Sequence, residues 1–121
     1  MKSIILIDDD AGILDVFKQV FERAGYAITI FNKGELVFEN KFDEPDIFII
    51  DKQLSGADGL DLCRFLKRRE QHKKTPIIIF SASPHIHAEA KDAGADDFLE
   101  KPFKTKALLQ MVQKHLAEHA A

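Results

Sequence analysis

Two short stretches, IFII at residues 47–50 and IIIF at residues 77–80, are apolar at every position. A strand with one face in water alternates apolar and polar residues, because successive side chains point to opposite faces. A run with no polar position needs apolar cover on both sides, the condition of a strand inside a parallel sheet clothed by helices. Strand patterns are expected over residues 3–7, 27–31, 46–50, 76–80 and 97–99, with helical patterns between them. In the first helix Ile13, Phe17, Val20, Phe21 and Ala24 mark one face, leaving Leu14 off the stripe, and Gly25 is the stop. Asn32 with Glu35 resembles a cap for a short second helix. Asp58 caps a third that runs to residue 68 with Leu62, Phe65 and Leu66 inward. A fourth covers residues 84–93 and stops at Gly94; a fifth, from about residue 105, carries Leu108, Leu109, Val112 and Leu116 on one side. Five strand–helix units in alternation make an α/β domain: a five-stranded parallel sheet flanked by five helices, over residues 1–121.

The first strand raises a chemical question. ILIDDD passes from a buried run directly into Asp8, Asp9 and Asp10. Adjacent carboxylates repel, so crowding them at a strand end raises the cost of ionising all of them. Helix capping explains one acid; three call for a divalent cation. Open parallel sheets place their sites at the carboxyl ends of strands. At those ends stand Asp8 and Asp9, then Asp51 after the third strand, Ser81 after the fourth and Lys101 after the fifth. The three acids make an oxygen-rich pocket suited to Mg²⁺. Lys101 and the Ser81 hydroxyl supply a cation and a donor for phosphoryl oxygens, and a carboxylate can itself accept a phosphoryl group.

Bulk properties narrow the function further. Seventeen basic against 20 acidic residues leave a net charge of −3, which argues against non-specific nucleic-acid binding. Cys63 is the single cysteine, so no intrachain disulfide forms, as suits a reducing cytoplasm; it reads as a buried helix thiol. No apolar run approaches the length of a membrane span. The expectation is a soluble cytoplasmic protein without nucleic-acid or membrane partners. His72, His85, His87, His115 and His119 read as solvated side chains.

The stretches LIDDD, DIFIIDKQLSGADGL, TPIIIFSA and GADDFLEKPF together resemble the receiver domains of two-component response regulators, in particular single-domain chemotaxis-type receivers. The resemblance spans essentially the whole chain. It implies a flavodoxin-like strand order 2-1-3-4-5 and a module that is not an enzyme beyond self-phosphotransfer and slow autodephosphorylation. Asp51 would be the phosphoacceptor, served by a histidine kinase or phosphotransfer protein. Asp9, Asp51 and the Gln53 backbone carbonyl would ligate Mg²⁺, with Asp8 acting through water. Lys101 would contact the phosphoryl group and Ser81 would bond it after transfer, while Ala82 leaves room beside it. Phe98 would be the switch aromatic, and the Lys101–Pro102 bond would be cis. Departures from the family pattern are Ser55 where Pro is common, Lys52 beside the acceptor and expected to face solvent, and Phe98 in place of Tyr. Gly12, Ile13, Leu14 and Phe103 border the site as an expected kinase-docking edge, with Leu14 as its exposed apolar contact. Ala107 and Met111 stand where dimerising receivers carry charges, and Glu89, Asp96 and Asp97 lack opposite charges there, so a monomer acting on a downstream protein target is expected.

Two other functions compete. Haloacid-dehalogenase-type phosphatases also use an Asp nucleophile, Mg²⁺ and Lys, but carry DxDx[TV] after the first strand. Here Ala11 and Gly12 follow the acids and the pattern fails. A receiver-fold scaffold acting without phosphorylation would have no use for Asp9, Asp51, Ser81 and Lys101 together.

Overall fold

The computed structural model describes residues 1–54 and 56–118. Its principal strands are β1 (Ser3–Ile7), β2 (Ala27–Phe31), β3 (Ile47–Asp51), β6 (Ile77–Ser81) and β7 (Asp97–Glu100). They form one sheet in the order β2-β1-β3-β6-β7 with every pairing parallel. Two-residue strands β4 (Gln53–Leu54) and β5 (Ala57–Asp58) make a separate antiparallel hairpin. With that hairpin left out of the count, the order is 2-1-3-4-5, the flavodoxin-like arrangement. The helices are α1 (Ala11–Arg23), α2 (Glu35–Phe38), α3 (Gly59–Lys67), α4 (His87–Asp92) and α5 (Thr105–Glu118).

Strand β3 and strand β6 are buried at every residue, as their unbroken apolar runs require. Alternate residues feed two cores. Ile4, Leu6, Ile47, Ile49, Ile78 and Phe80 pack under α1 and α5. Ile5, Ile7, Phe48, Ile50, Ile77 and Ile79 pack on the other face under α2, α3 and α4. Each such side chain contributes roughly 1.5–3 kcal/mol by leaving water, so both faces of the sheet hold the strands in register. Ile7 is level with Ile50, and Asp51 is level with Phe80. The residues that follow β1 therefore emerge beside the last residue of β3.

Several expectations need correction. The buried stripe of α1 is Leu14, Phe17 and Phe21, while Ile13 and Val20 are half-buried. Both 13 and 14 are apolar, and the sheet under the helix selects the rotation. Helix α2 starts at Gly34 with no side-chain cap, so Asn32 does not serve it. The fourth helical segment opens as a 3₁₀ turn over Pro84–Ile86 before α4. Asp46 precedes β3 and accepts from the Ser3 backbone N–H at 2.7 Å. His72 and His115 are buried rather than solvated. The His72 ring stacks on Phe42 and pairs with the Asn40 side chain at 3.0 Å; His115 lies 2.8 Å from Asp97. His85 and His87 are exposed as expected, and Cys63 is buried. Ser55 and His119 lie outside the described residues. Among the described residues no helix is long and apolar enough to cross a membrane.

Candidate functional site

The three acids after β1 divide their work. Asp10 is the N-cap of α1 and accepts from the backbone N–H groups of Gly12 at 2.9 Å and Ile13 at 3.2 Å. This satisfies two of the four free donors at the helix start. Asp8 is fully buried, and its Oδ1 accepts from the Asp10 N–H at 2.9 Å. Asp9 is exposed at the rim. Across the cleft Asp51 ends the central strand, only 4% exposed. One oxygen from each of Asp8, Asp9 and Asp51 falls within 4.8 Å of the others.

That arrangement is costly without a cation. Burial pushes the Asp8 carboxyl up from 3.8 to about 6, and the Asp51 and Asp9 charges add to the effect, while the Asp10 N–H and Lys101 oppose it. The Asp8 Oδ2 is buried and accepts no hydrogen bond from the protein. A buried acceptor facing two other carboxylates is the donor set of a hard divalent cation, which takes oxygen ligands. Asp8, Asp9 and Asp51 fit such an ion.

Around the acids the other strand ends converge. Lys101, just after β7, brings its Nζ to 3.3 Å from Asp51 Oδ2 and lies over the Phe80 ring at 4.8 Å. Its backbone N–H donates to the Ser81 carbonyl at 2.7 Å, and the Lys101–Pro102 bond is cis. Ser81 is fully buried, and its Oγ accepts from the Ser83 N–H at 3.1 Å, which leaves its own O–H to donate. Gln53 donates its backbone N–H to Asp51 Oδ1 at 3.1 Å. Phe98 is half-buried on β7 and stacks against the His87 ring, 5.4 Å between centroids. Every residue singled out at a strand end is thus gathered at one edge, with Phe98 set back within β7.

Two side chains around the site, Lys52 and Leu14, lie elsewhere than the sequence suggests. Lys52 does not face solvent: its Nζ is 3.1 Å from Asp58, the N-cap of α3, and it is half-buried. Beside the acids an apolar cleft of about 490 Å³ is lined by Ile13, Phe17, Ala82, Lys101, Pro102 and Phe103. Of the residues expected at this edge, Ile13 and Phe103 line the cleft, whereas Leu14 is buried and presents nothing there. Gly59 is a packing requirement as well: a Cβ at that position would collide with the Asp51 carbonyl oxygen. The acids assigned to a free dimer surface are also engaged within the chain, Asp96 with Lys67 at 2.9 Å and Asp97 with His115.

The chain belongs to the response regulator receiver domain family, whose model matches residues 4–113. It is similar to the receiver domain of the Francisella response regulator 1452, at 30% identity over 98% of both chains, with a TM-score of 0.87. It is similar also to the signal receiver domain of a signal transduction histidine kinase from Syntrophus aciditrophicus (27% identity, 99% of this chain and 93% of that one, TM-score 0.90). The BeF3-activated DrrB receiver domain is another (27% identity, 97% and 98%, TM-score 0.85). Receiver domains are the phosphoacceptor modules of two-component signalling, partners of histidine kinases or phosphotransfer proteins rather than enzymes in their own right.

Proposed function

We propose that residues 1–121 form a single receiver domain that accepts a phosphoryl group on Asp51 and thereby switches a protein–protein interaction. The observation that carries this reading is the Asp51 carboxylate, almost fully buried at the end of the central strand, with Lys101 at 3.3 Å and two further carboxylates within 4.8 Å. A histidine kinase or phosphotransfer protein would present its phosphoimidazole at this edge; the P–N bond breaks as an Asp51 Oδ–P bond forms. Asp51 is held for that attack by the Gln53 N–H on one oxygen and Lys101 on the other. As phosphoryl oxygens arrive, Lys101 is positioned to follow them, and the free Ser81 O–H donates to one of them. Asp9, Asp51 and the Gln53 carbonyl would hold Mg²⁺, with Asp8 acting through water. When bound, the ion neutralises charge on the phosphoryl oxygens. Movement of Ser81 toward the phosphoryl group draws Phe98 inward and breaks its stack on His87. That is a population shift set by how much better the phosphoryl group binds the switched state. The domain acts as a cytoplasmic monomer on a protein target and loses its phosphoryl group slowly by itself.

The similarity to a BeF3-activated receiver supports testing this with the same phosphoryl mimic. Beryllofluoride with Mg²⁺ should shift the backbone amide resonances of Asp51, Gln53, Ser81 and Phe98, and Asp51→Asn should abolish those shifts. Unchanged shifts in the Asn variant would remove Asp51 from its role, and no response in the wild type would favour the unphosphorylated scaffold.

A further inference from the structure

Residues 64–74 contain Arg64, Lys67, Arg68, Arg69, Lys73 and Lys74 against a single acid, Glu70, in a chain whose net charge is −3. Lys67 and Lys73 are spent on Asp96 and Glu70. The arginines are not scattered. Together with Asp61, Phe38 and Phe65 they line a cavity of about 560 Å³ between α2 and α3. Helix α3 starts against Asp51 and rises about 1.5 Å per residue, so the Arg68–Arg69 end of this cavity stands well away from the phosphorylation edge. Its walls are ordered: Arg69 lies over the Phe65 ring at 4.5 Å, Phe38 meets Phe65 edge-on at 5.0 Å, and Arg64 is held by Asp61 at 2.8 Å. Two groups keep an open side. Arg68 is exposed and makes no ion pair among the described residues, and Phe38 is 40% exposed although large and apolar.

We propose that this pocket docks an acidic segment of a partner protein that carries an aromatic residue. The aromatic ring would enter against Phe38 and Phe65, and the flanking carboxylates would take the forks of Arg68 and Arg69 bidentately. Arginine and phenylalanine are the residue types that protein interfaces concentrate. A nucleic-acid strand fits less well. It needs a continuous cationic track, whereas Asp61 and Glu70 interrupt this one, and the negative chain repels a polyanion at long range.

The test uses the whole chain and fluorescence anisotropy. The probe is a labelled peptide of about ten residues, Asp and Glu with one central Phe. Saturable binding is expected, weakened about tenfold by Arg68→Glu, the scale of one charge-assisted hydrogen bond, and about fivefold by Phe38→Ser. Arg68 is exposed, so Arg68→Glu should keep the wild-type thermal midpoint; Phe38→Ser gives up the contact with Phe65 and is assayed well below its own midpoint, and Arg69→Gln provides an independent third variant. Asp51→Asn should bind like wild type, which separates this site from the phosphoacceptor. The proposal is overturned if no saturation occurs below roughly 1 mM. It is also overturned if the three pocket variants bind unchanged, or if a single-stranded oligonucleotide or a purine nucleotide binds more tightly than the peptide.

Discussion

Replacing Asp8 by Asn should make the metal-free domain more stable. Asp8 is fully buried, its Oδ2 has no donor, and its carboxyl is raised to about 6 chiefly by burial. The distance from 3.8 to about 6, at about 1.36 kcal/mol per pKa unit, amounts to about 3 kcal/mol of destabilisation when Asp8 ionises. Asn keeps the acceptor for the Asp10 N–H, now uncharged and so weaker by about 1 kcal/mol. Its new N–H groups face the Asp9 and Asp51 carboxylates. The net expectation is about 2 kcal/mol, or roughly 5–10 °C in Tm for a domain of this size. The sign follows from linkage: a carboxyl with a raised folded-state pKa contributes stability that is fully present below 3.8 and is lost as pH rises through about 6. Wild type and variant should therefore coincide near pH 4 and separate between pH 4 and 6, the variant staying higher above that. Chemical denaturation followed by far-UV circular dichroism in EDTA measures it. Mg²⁺ should then narrow the gap by stabilising the wild type. A variant less stable than wild type at neutral pH, or a gap that does not change with pH, would refute the reasoning.

Other outcomes follow from the same geometry. Gly59→Ala should destabilise the domain by about 2–3 kcal/mol, since its Cβ would collide with backbone at the Asp51 carbonyl, and Mg²⁺ affinity by isothermal titration should fall with it. Lys101→Met should slow phosphorylation by acetyl phosphate at least about tenfold, through loss of the cation 3.3 Å from Asp51, and an unchanged rate would remove Lys101 from the transfer step. The Cys63 thiol, buried and pushed up to about 11, should react with a chromogenic disulfide reagent only on unfolding; a fast phase in native buffer would contradict its placement.

How much of this was legible in the chain depends on how local the signal is. IFII and IIIF demanded cover on both faces, and the two buried central strands bear that out. The polar residue after each such run is read directly, which gives Asp8, Asp51 and Ser81; on the last strand that place belongs to Glu100, and Lys101 came from the KPF of the family resemblance. Strand order came from family resemblance, because alternation alone does not distinguish arrangements. The rotation of α1 was misread because Ile13, Leu14, Val16, Phe17, Val20 and Phe21 offer more than one apolar stripe, and only packing on the sheet chooses Leu14. His72 was read as solvated because it lies in no periodic element; Phe42 and Phe48, distant in sequence, bury it. Lys52 was read as pointing outward because its partner Asp58 is brought close by a hairpin of two-residue strands, too short to leave a pattern.

The central claim, that Asp51 is the phosphoacceptor, is tested most directly by treating the protein with acetyl phosphate and Mg²⁺, reducing the acyl phosphate with borohydride and mapping the modified residue by peptide mass spectrometry. Modification at Asp51 alone, absent without Mg²⁺, is the expected result. Modification at Asp8 or Asp9, or equal labelling of Asp51→Asn, would contradict it.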